Sequence, residues 1–140
     1  MLIKTKALSF CFALVTMTDK KTILFIDDNP LDRALISKVL AKHDFVVLLA
    51  EDGSQGVRMA QENKLDLLLL DILLPGISGI ELCKKFKKNP DTRDIPVIFY
   101  TSIDTPKHLI DYASYGAEDY IQKSMPSQEL IASINAIMRN

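Results

Sequence analysis

Thr22-Ile23-Leu24-Phe25-Ile26-Asp27-Asp28-Asn29-Pro30 is the stretch that decides the fold. Four apolar residues, Ile23 through Ile26, run without a polar break and stop abruptly at two aspartates. A short run apolar on both sides suits a strand covered on both faces, as strands of parallel sheets are. A helix start follows at once. Asp28 or Asn29 stands where a cap belongs, and Pro30 stands near the first helical position, where its missing N–H costs nothing.

The same punctuation recurs along the chain. Residues 45–50, 67–70 and 95–100 are apolar runs, and Tyr120-Ile121 is a shorter one. Helical patterns lie between them. Leu31, Leu35 and Val39 mark part of the buried face of the first helix. Residues 53–63 form a second, weakened by Gly56, and residues 80–88 a third that buries Leu82, Cys83 and Phe86. Asp104-Thr105-Pro106 opens a fourth; Leu130, Ile131, Ile134, Ile137 and Met138 line the inner face of a fifth. Five strands alternating with five helices predict an α/β fold, a doubly wound five-stranded parallel sheet. Ligands of such sheets sit beyond the carboxyl ends of the strands, where strand order reverses.

Composition narrows the class. The 140 residues are 48% hydrophobic and 25% charged with a net charge of -1, so one globular domain is expected and no basic excess points to nucleic acid. Cys11 and Cys83 make neither a disulfide framework nor a metal-ligand spacing, which leaves a reducing, cytoplasmic compartment as the expectation. Residues 7–15 are apolar behind Lys4 and Lys6 and superficially resemble a secretory signal. They fall short of the roughly 20 residues that cross a bilayer, so no membrane association is expected. Thr16-Met17-Thr18-Asp19-Lys20-Lys21 lacks a small-residue cleavage pattern, and Met17 is a natural start. Residues 1–20 are read as a dispensable leader or over-long N-terminus, and residues 21–140 as the domain.

The residues at the strand ends carry the chemistry. The first strand ends in Asp27-Asp28, the third in Asp71, the fourth in Thr101 and the fifth in Lys123. Three carboxylates brought together need protons or a cation to neutralise them. Hard oxygen ligands on an open, wet edge suit Mg²⁺, which keeps several waters and takes one or two carboxylates plus phosphate oxygens. A carboxylate beside a metal and a lysine can attack a phosphoryl donor, because the charge on the transferring group is then offset.

With those residues in order, the chain resembles the receiver domains of two-component response regulators over about residues 21–138. The resemblance rests on Asp27-Asp28, on Asp71-Ile72-Leu73-Leu74-Pro75-Gly76-Ile77-Ser78-Gly79, on Tyr100-Thr101-Ser102 and on Tyr120-Ile121-Gln122-Lys123. It implies a flavodoxin-like (βα)5 fold with five helices and a single-domain regulator that forms 4-aspartylphosphate on Asp71. It further implies Mg²⁺ held by Asp27, Asp28, Asp71 and the backbone carbonyl of Leu73, with Lys123 pairing the phosphoryl oxygens. Thr101 and Tyr120 would be the switch pair. The implied partners are a histidine kinase or phosphotransfer protein as donor, and an effector on the face of helix 4, strand 5 and helix 5. Two departures stand out. Ser124 follows Lys123 where the family has a proline in a cis peptide; that geometry before Ser124 would cost about 2.5 to 4 kcal/mol, so the turn is expected to differ. Leu74 stands where methionine is commonest.

Blander readings exist for each residue. One aspartate of the pair could simply cap a helix, Asp71 could be a loop residue before a Pro-Gly turn, and Lys123 and Tyr120 could be surface and core. Lys84, Lys85, Lys87 and Lys88 complement the end of a helix dipole, and Cys83 fits the core. Other functions compete as well. A phosphorylation-independent adapter would be expected to lose the acidic pair, the acceptor or the lysine. A small phosphatase with an aspartate nucleophile would want Asp-x-Asp and extra chain over the substrate, so no enzyme is expected. Flavin binding would want a hydroxyl-rich loop in place of Asp27-Asp28-Asn29-Pro30.

Overall fold

Strand β1 (Thr22–Ile26) is an interior strand of the sheet, apolar and buried on both faces. The computed structural model describes residues 19–139, so nearly all of the leader expected at residues 1–20 lies outside the described residues. The chain continues through α1 (Pro30–Lys42), β2 (Val46–Ala50), α2 (Gly53–Glu62), β3 (Leu67–Leu70), α3 (Gly79–Lys88), β4 (Val97–Thr101), β5 (Asp119–Gln122) and α4 (Ser127–Met138). All five strands pair in parallel in the order β2-β1-β3-β4-β5. This is the doubly wound α/β sheet that the alternation predicts. Strand order reverses at β1, which sends its connection to β2 on one side and borders β3 on the other.

The pleat divides the core into two layers. Leu24, Ile26, Leu68, Leu70, Val97 and Phe99 face α2 and α3, meeting Ala60, Leu82, Cys83 and Phe86. Ile23, Phe25, Leu67, Leu69, Ile98 and Tyr100 face α1 and α4, meeting Ile36, Leu40, Leu130, Ile131 and Ile134. Each fully buried Val, Leu, Ile or Phe among them stabilises the fold by about 1.5–3 kcal/mol. Among the described residues, no helix is long and apolar enough to cross a membrane.

Two expectations are corrected. No fourth α-helix forms between β4 and β5; among the described residues the connection holds only two 3-10 turns, Lys107–Leu109 and Ala113–Tyr115. The reason is the spacing of its anchors. Ile110 and Tyr112 both pack on the core, and residues two apart cannot share one face of a helix. Four α-helices are therefore present there instead of five. The second correction concerns α1, whose Leu31 and Leu35 are 78% and 61% exposed while Ile36 and Leu40 are buried. Val39 packs against the core as expected, so the side of α1 turned inward carries Ile36, Val39 and Leu40.

Candidate functional site

The backbone ladder carries the acidic residues just past the strand ends. Asp27 N–H donates to Ala50 O at 3.0 Å and Asp71 N–H to Ile26 O at 3.1 Å, so both aspartates are held as firmly as strand residues. Both are buried, at 0% and 3% exposure, while Asp28 points to solvent. One carboxylate oxygen from each of Asp27, Asp28 and Asp71 lies within 4.8 Å of the others. Asp27 Oδ1 also accepts the Asn29 N–H at 2.9 Å, and Asn29 Oδ1 in turn caps α1 through Leu31 N–H. Gly79, at the start of α3, lies against the Asp71 backbone so closely that a Cβ there would run into the Asp71 carbonyl.

Lys123 completes the cluster from the end of β5. Its backbone N–H donates to Thr101 O at 2.8 Å, which fixes where the side chain begins. Its Nζ then reaches Asp27 Oδ2 at 2.5 Å, Asp32 Oδ2 at 2.7 Å and Asp71 Oδ2 at 3.1 Å. Burial pushes the ammonium down, but the bonds to Asp27, Asp32 and Asp71 outweigh it and hold it above the ordinary lysine value. Burial also pushes the Asp27 carboxyl up, aided by the charge of Asp71 and opposed by the bonds from Lys123 and Asn29. One ammonium thus serves three carboxyl groups.

The switch candidates are placed differently. Thr101 is fully buried at the end of β4, and its Oγ1 accepts the Ile103 N–H at 3.3 Å; its hydroxyl bonds neither the Asp71 carboxylate nor the Lys123 ammonium. Tyr120 lies in the core at 1% exposure, with its hydroxyl donating to Thr105 O at 2.9 Å and Ile103 O at 3.2 Å. Gln122 Nε2 donates to the same two carbonyls at 3.2 Å each. The segment after β4 is thus tied down by two side chains of β5. Leu73 is 54% exposed and its N–H donates to Asp71 Oδ1 at 3.2 Å. After Lys123 the peptide to Ser124 is trans, and Met125 N–H closes the turn on Gln122 O at 3.0 Å.

Sequence reasoning missed Asp32 and Gln122. Asp32 had a visible signal, an acid in the first turn of a helix that Asn29 already caps, but that signal also reads as dipole compensation. Gln122 carried none, because a polar residue at the end of a strand is ordinary.

Comparison with known proteins places this geometry. The family described as response regulator receiver domain matches residues 23–135. The chain is 35% identical to protein PilH of Pseudomonas aeruginosa over 116 residues, covering 83% of this chain and 96% of PilH. It is 39% identical to the phosphate regulon transcriptional regulatory protein PhoB of the same species over 119 residues, covering 85% of this chain and 52% of PhoB, about half that protein's length. Among solved structures, the response regulator TrrA of Thermotoga maritima, in complex with Mg²⁺ and BeF, superposes with a TM-score of 0.74 at 30% identity, covering 84% of this chain and 98% of TrrA. The chain belongs to the response regulator receiver family, a family of two-component phosphorelay signalling domains.

Proposed function

We propose that this receiver domain takes a phosphoryl group onto Asp71 from a histidine kinase or phosphotransfer protein, with Mg²⁺ at the acidic cluster, and signals by phosphorylation-dependent contact with an effector. The observation that carries the proposal is Lys123 Nζ bonded to both Asp27 and Asp71 at the strand ends. A match over 96% of PilH supports a regulator that works as a receiver in its own right.

In this reading an Asp71 carboxylate oxygen attacks phosphorus and the bond from phosphorus to the donor's imidazole nitrogen breaks. The donor keeps that electron pair, and Lys123 donates to the phosphoryl oxygens. The donor set of Asp27, Asp28 and Asp71 fits a hard divalent cation: oxygen ligands only, two of them buried and fixed, one open to solvent. The Leu73 carbonyl would be a fourth oxygen. Bound there, the metal would offset charge on the transferring group.

The surroundings suit protein partners. Leu31, Leu35, Leu73 and Met125 are exposed apolar residues at the start of α1 and on the loops after β3 and β5. They are where a phosphohistidine-bearing partner would seat. Output would run through Thr101 and Tyr120 into the segment between β4 and β5, with β5 and α4 completing the effector face. Intact mass after treatment with acetyl phosphate and Mg²⁺ tests the acceptor. Gain of one phosphoryl group by the wild type, none by Asp71→Asn and none with chelator is the expected result. Labelling of Asp71→Asn at the wild-type rate would overturn the assignment.

A further inference from the structure

Asp32 is a fourth carboxylate at the site, and phosphoryl capture as described leaves it without a task. It stands at the third position of α1, where an acid usually either complements the helix dipole or returns to the capping residue's N–H. The second duty is already filled, since Asn29 N–H donates to Asp27 Oδ1. Asp32 instead sends Oδ2 to Lys123 Nζ at 2.7 Å, closer than the 3.1 Å between that nitrogen and Asp71. Its neighbour Arg33 is engaged elsewhere, with Nη1 donating to the Asp27 carbonyl at 2.7 Å.

Donor arithmetic gives this contact its consequence. An ammonium has three N–H donors, and Asp27, Asp32 and Asp71 occupy all three. In the metal-free site Lys123 therefore has no donor to spare, and its position is set by all three carboxylates. Asp27 and Asp71 belong to the cluster of oxygens that a divalent cation would draw together, and Asp32 does not. Once a cation takes up those oxygens, Asp32 is the partner left holding the lysine.

We infer that Asp32 is a positioning residue that tethers Lys123 to α1 and competes with the phosphoryl group for it, thereby loosening the site's hold on that group. The inference rests on the phosphoryl reading above. Asp32 is partly solvated, with its side chain 32% exposed, so the effect is bounded by that of one charge-assisted hydrogen bond near the surface.

The test uses the full chain as wild type, Asp32→Asn and Asp32→Glu, with two readouts. The first is the half-saturating concentration of beryllofluoride at saturating Mg²⁺, followed by amide NMR. Asp32→Asn should bind about two- to fivefold more tightly than wild type. The second is reductive methylation of Lys123 in the metal-free protein, read by peptide mass spectrometry, which should be several-fold faster in Asp32→Asn. Glutamate keeps the charge and should bring both values back toward wild type. A merely structural aspartate would weaken binding on loss instead of tightening it. Unchanged or weaker beryllofluoride binding in Asp32→Asn overturns the inference and leaves the phosphoryl reading standing. So does tighter binding without faster methylation, because the route would not then run through Lys123. A wild type that binds no beryllofluoride overturns both.

Discussion

Replacing Lys123 with methionine keeps an unbranched stem of similar length and deletes the ammonium that three carboxylates share. Asp27 is fully buried and the Asp71 side chain is 4% exposed, so water is poorly placed to replace the lost charge. Removing one partner of a buried ion pair costs about 3–5 kcal/mol. Protonation sets a ceiling on that cost. The site can relax by taking up one proton, and doing so at pH 7 on a carboxyl of ordinary value 3.8 costs about 4 kcal/mol. The metal-free variant should therefore be about 3–4 kcal/mol less stable near pH 7, a fall in Tm of about 10 °C or more. The ceiling drops by about 1.4 kcal/mol per pH unit, leaving roughly 1.5 kcal/mol near pH 5. The sign follows from Asp27, whose folded-state value already lies above the ordinary one and rises further without Lys123. Such a group favours the folded state at low pH, and that advantage is lost as pH rises through its folded value. Urea denaturation of wild type and variant in chelator near pH 5 and pH 7 measures the gap directly. Mg²⁺ should narrow it near pH 7 by binding among the same oxygens. Equal stability near pH 7 in chelator, or a deficit of the same size at both pH values, would refute the dependence of these carboxylates on Lys123.

Leu73 and Ile103 stand two residues beyond Asp71 and Thr101, and both are apolar, so neither orients a water for in-line attack. Leu73→Asn, alone and with Ile103→Glu, should speed loss of the phosphoryl group on the order of tenfold once the donor is removed; unchanged or slower decay would clear these side chains of the role. Tyr120→Phe leaves Gln122 as the remaining side-chain donor to the Ile103 and Thr105 carbonyls, at a cost of about 1 kcal/mol. Amide exchange should accelerate across residues 103–117, and exchange indistinguishable from wild type would show that the hydroxyl does not hold the segment. Burial pushes the Cys83 thiol up to about 11, and its Sγ donates to Tyr115 O at 3.3 Å. In the native protein iodoacetamide near pH 8 should leave Cys83 unmodified, whereas alkylation at the rate of a free thiol would mean the core opens there.

The order of elements was legible in the sequence because it depends on local chemistry. Ile23 to Ile26 suits a strand buried on both faces, and Asp28 or Asn29 followed by Pro30 marks a helix start close behind it. Parallel pairing then forces the carboxyl ends to one edge, and the order β2-β1-β3-β4-β5 sets Asp27 beside Asp71 there, within reach of Lys123. The segment between β4 and β5 resisted the same reading. Asp104-Thr105-Pro106 is a sound helix start, but Ile110 and Tyr112 each found a place in the core, and long-range packing outweighed local propensity. The face of α1 was undecidable for a different reason. Leu31-Leu35-Val39 and Ile36-Leu40 are both helical stripes, and only docking on the sheet put the second inside and left Leu31 and Leu35 at the rim. The same rotation of α1 turns Asp32 toward Lys123 across 91 positions of sequence. Local residue order determines where a helix begins and ends, whereas its rotation about its own axis is settled by the surface it packs on, and with it which of its acids face the site.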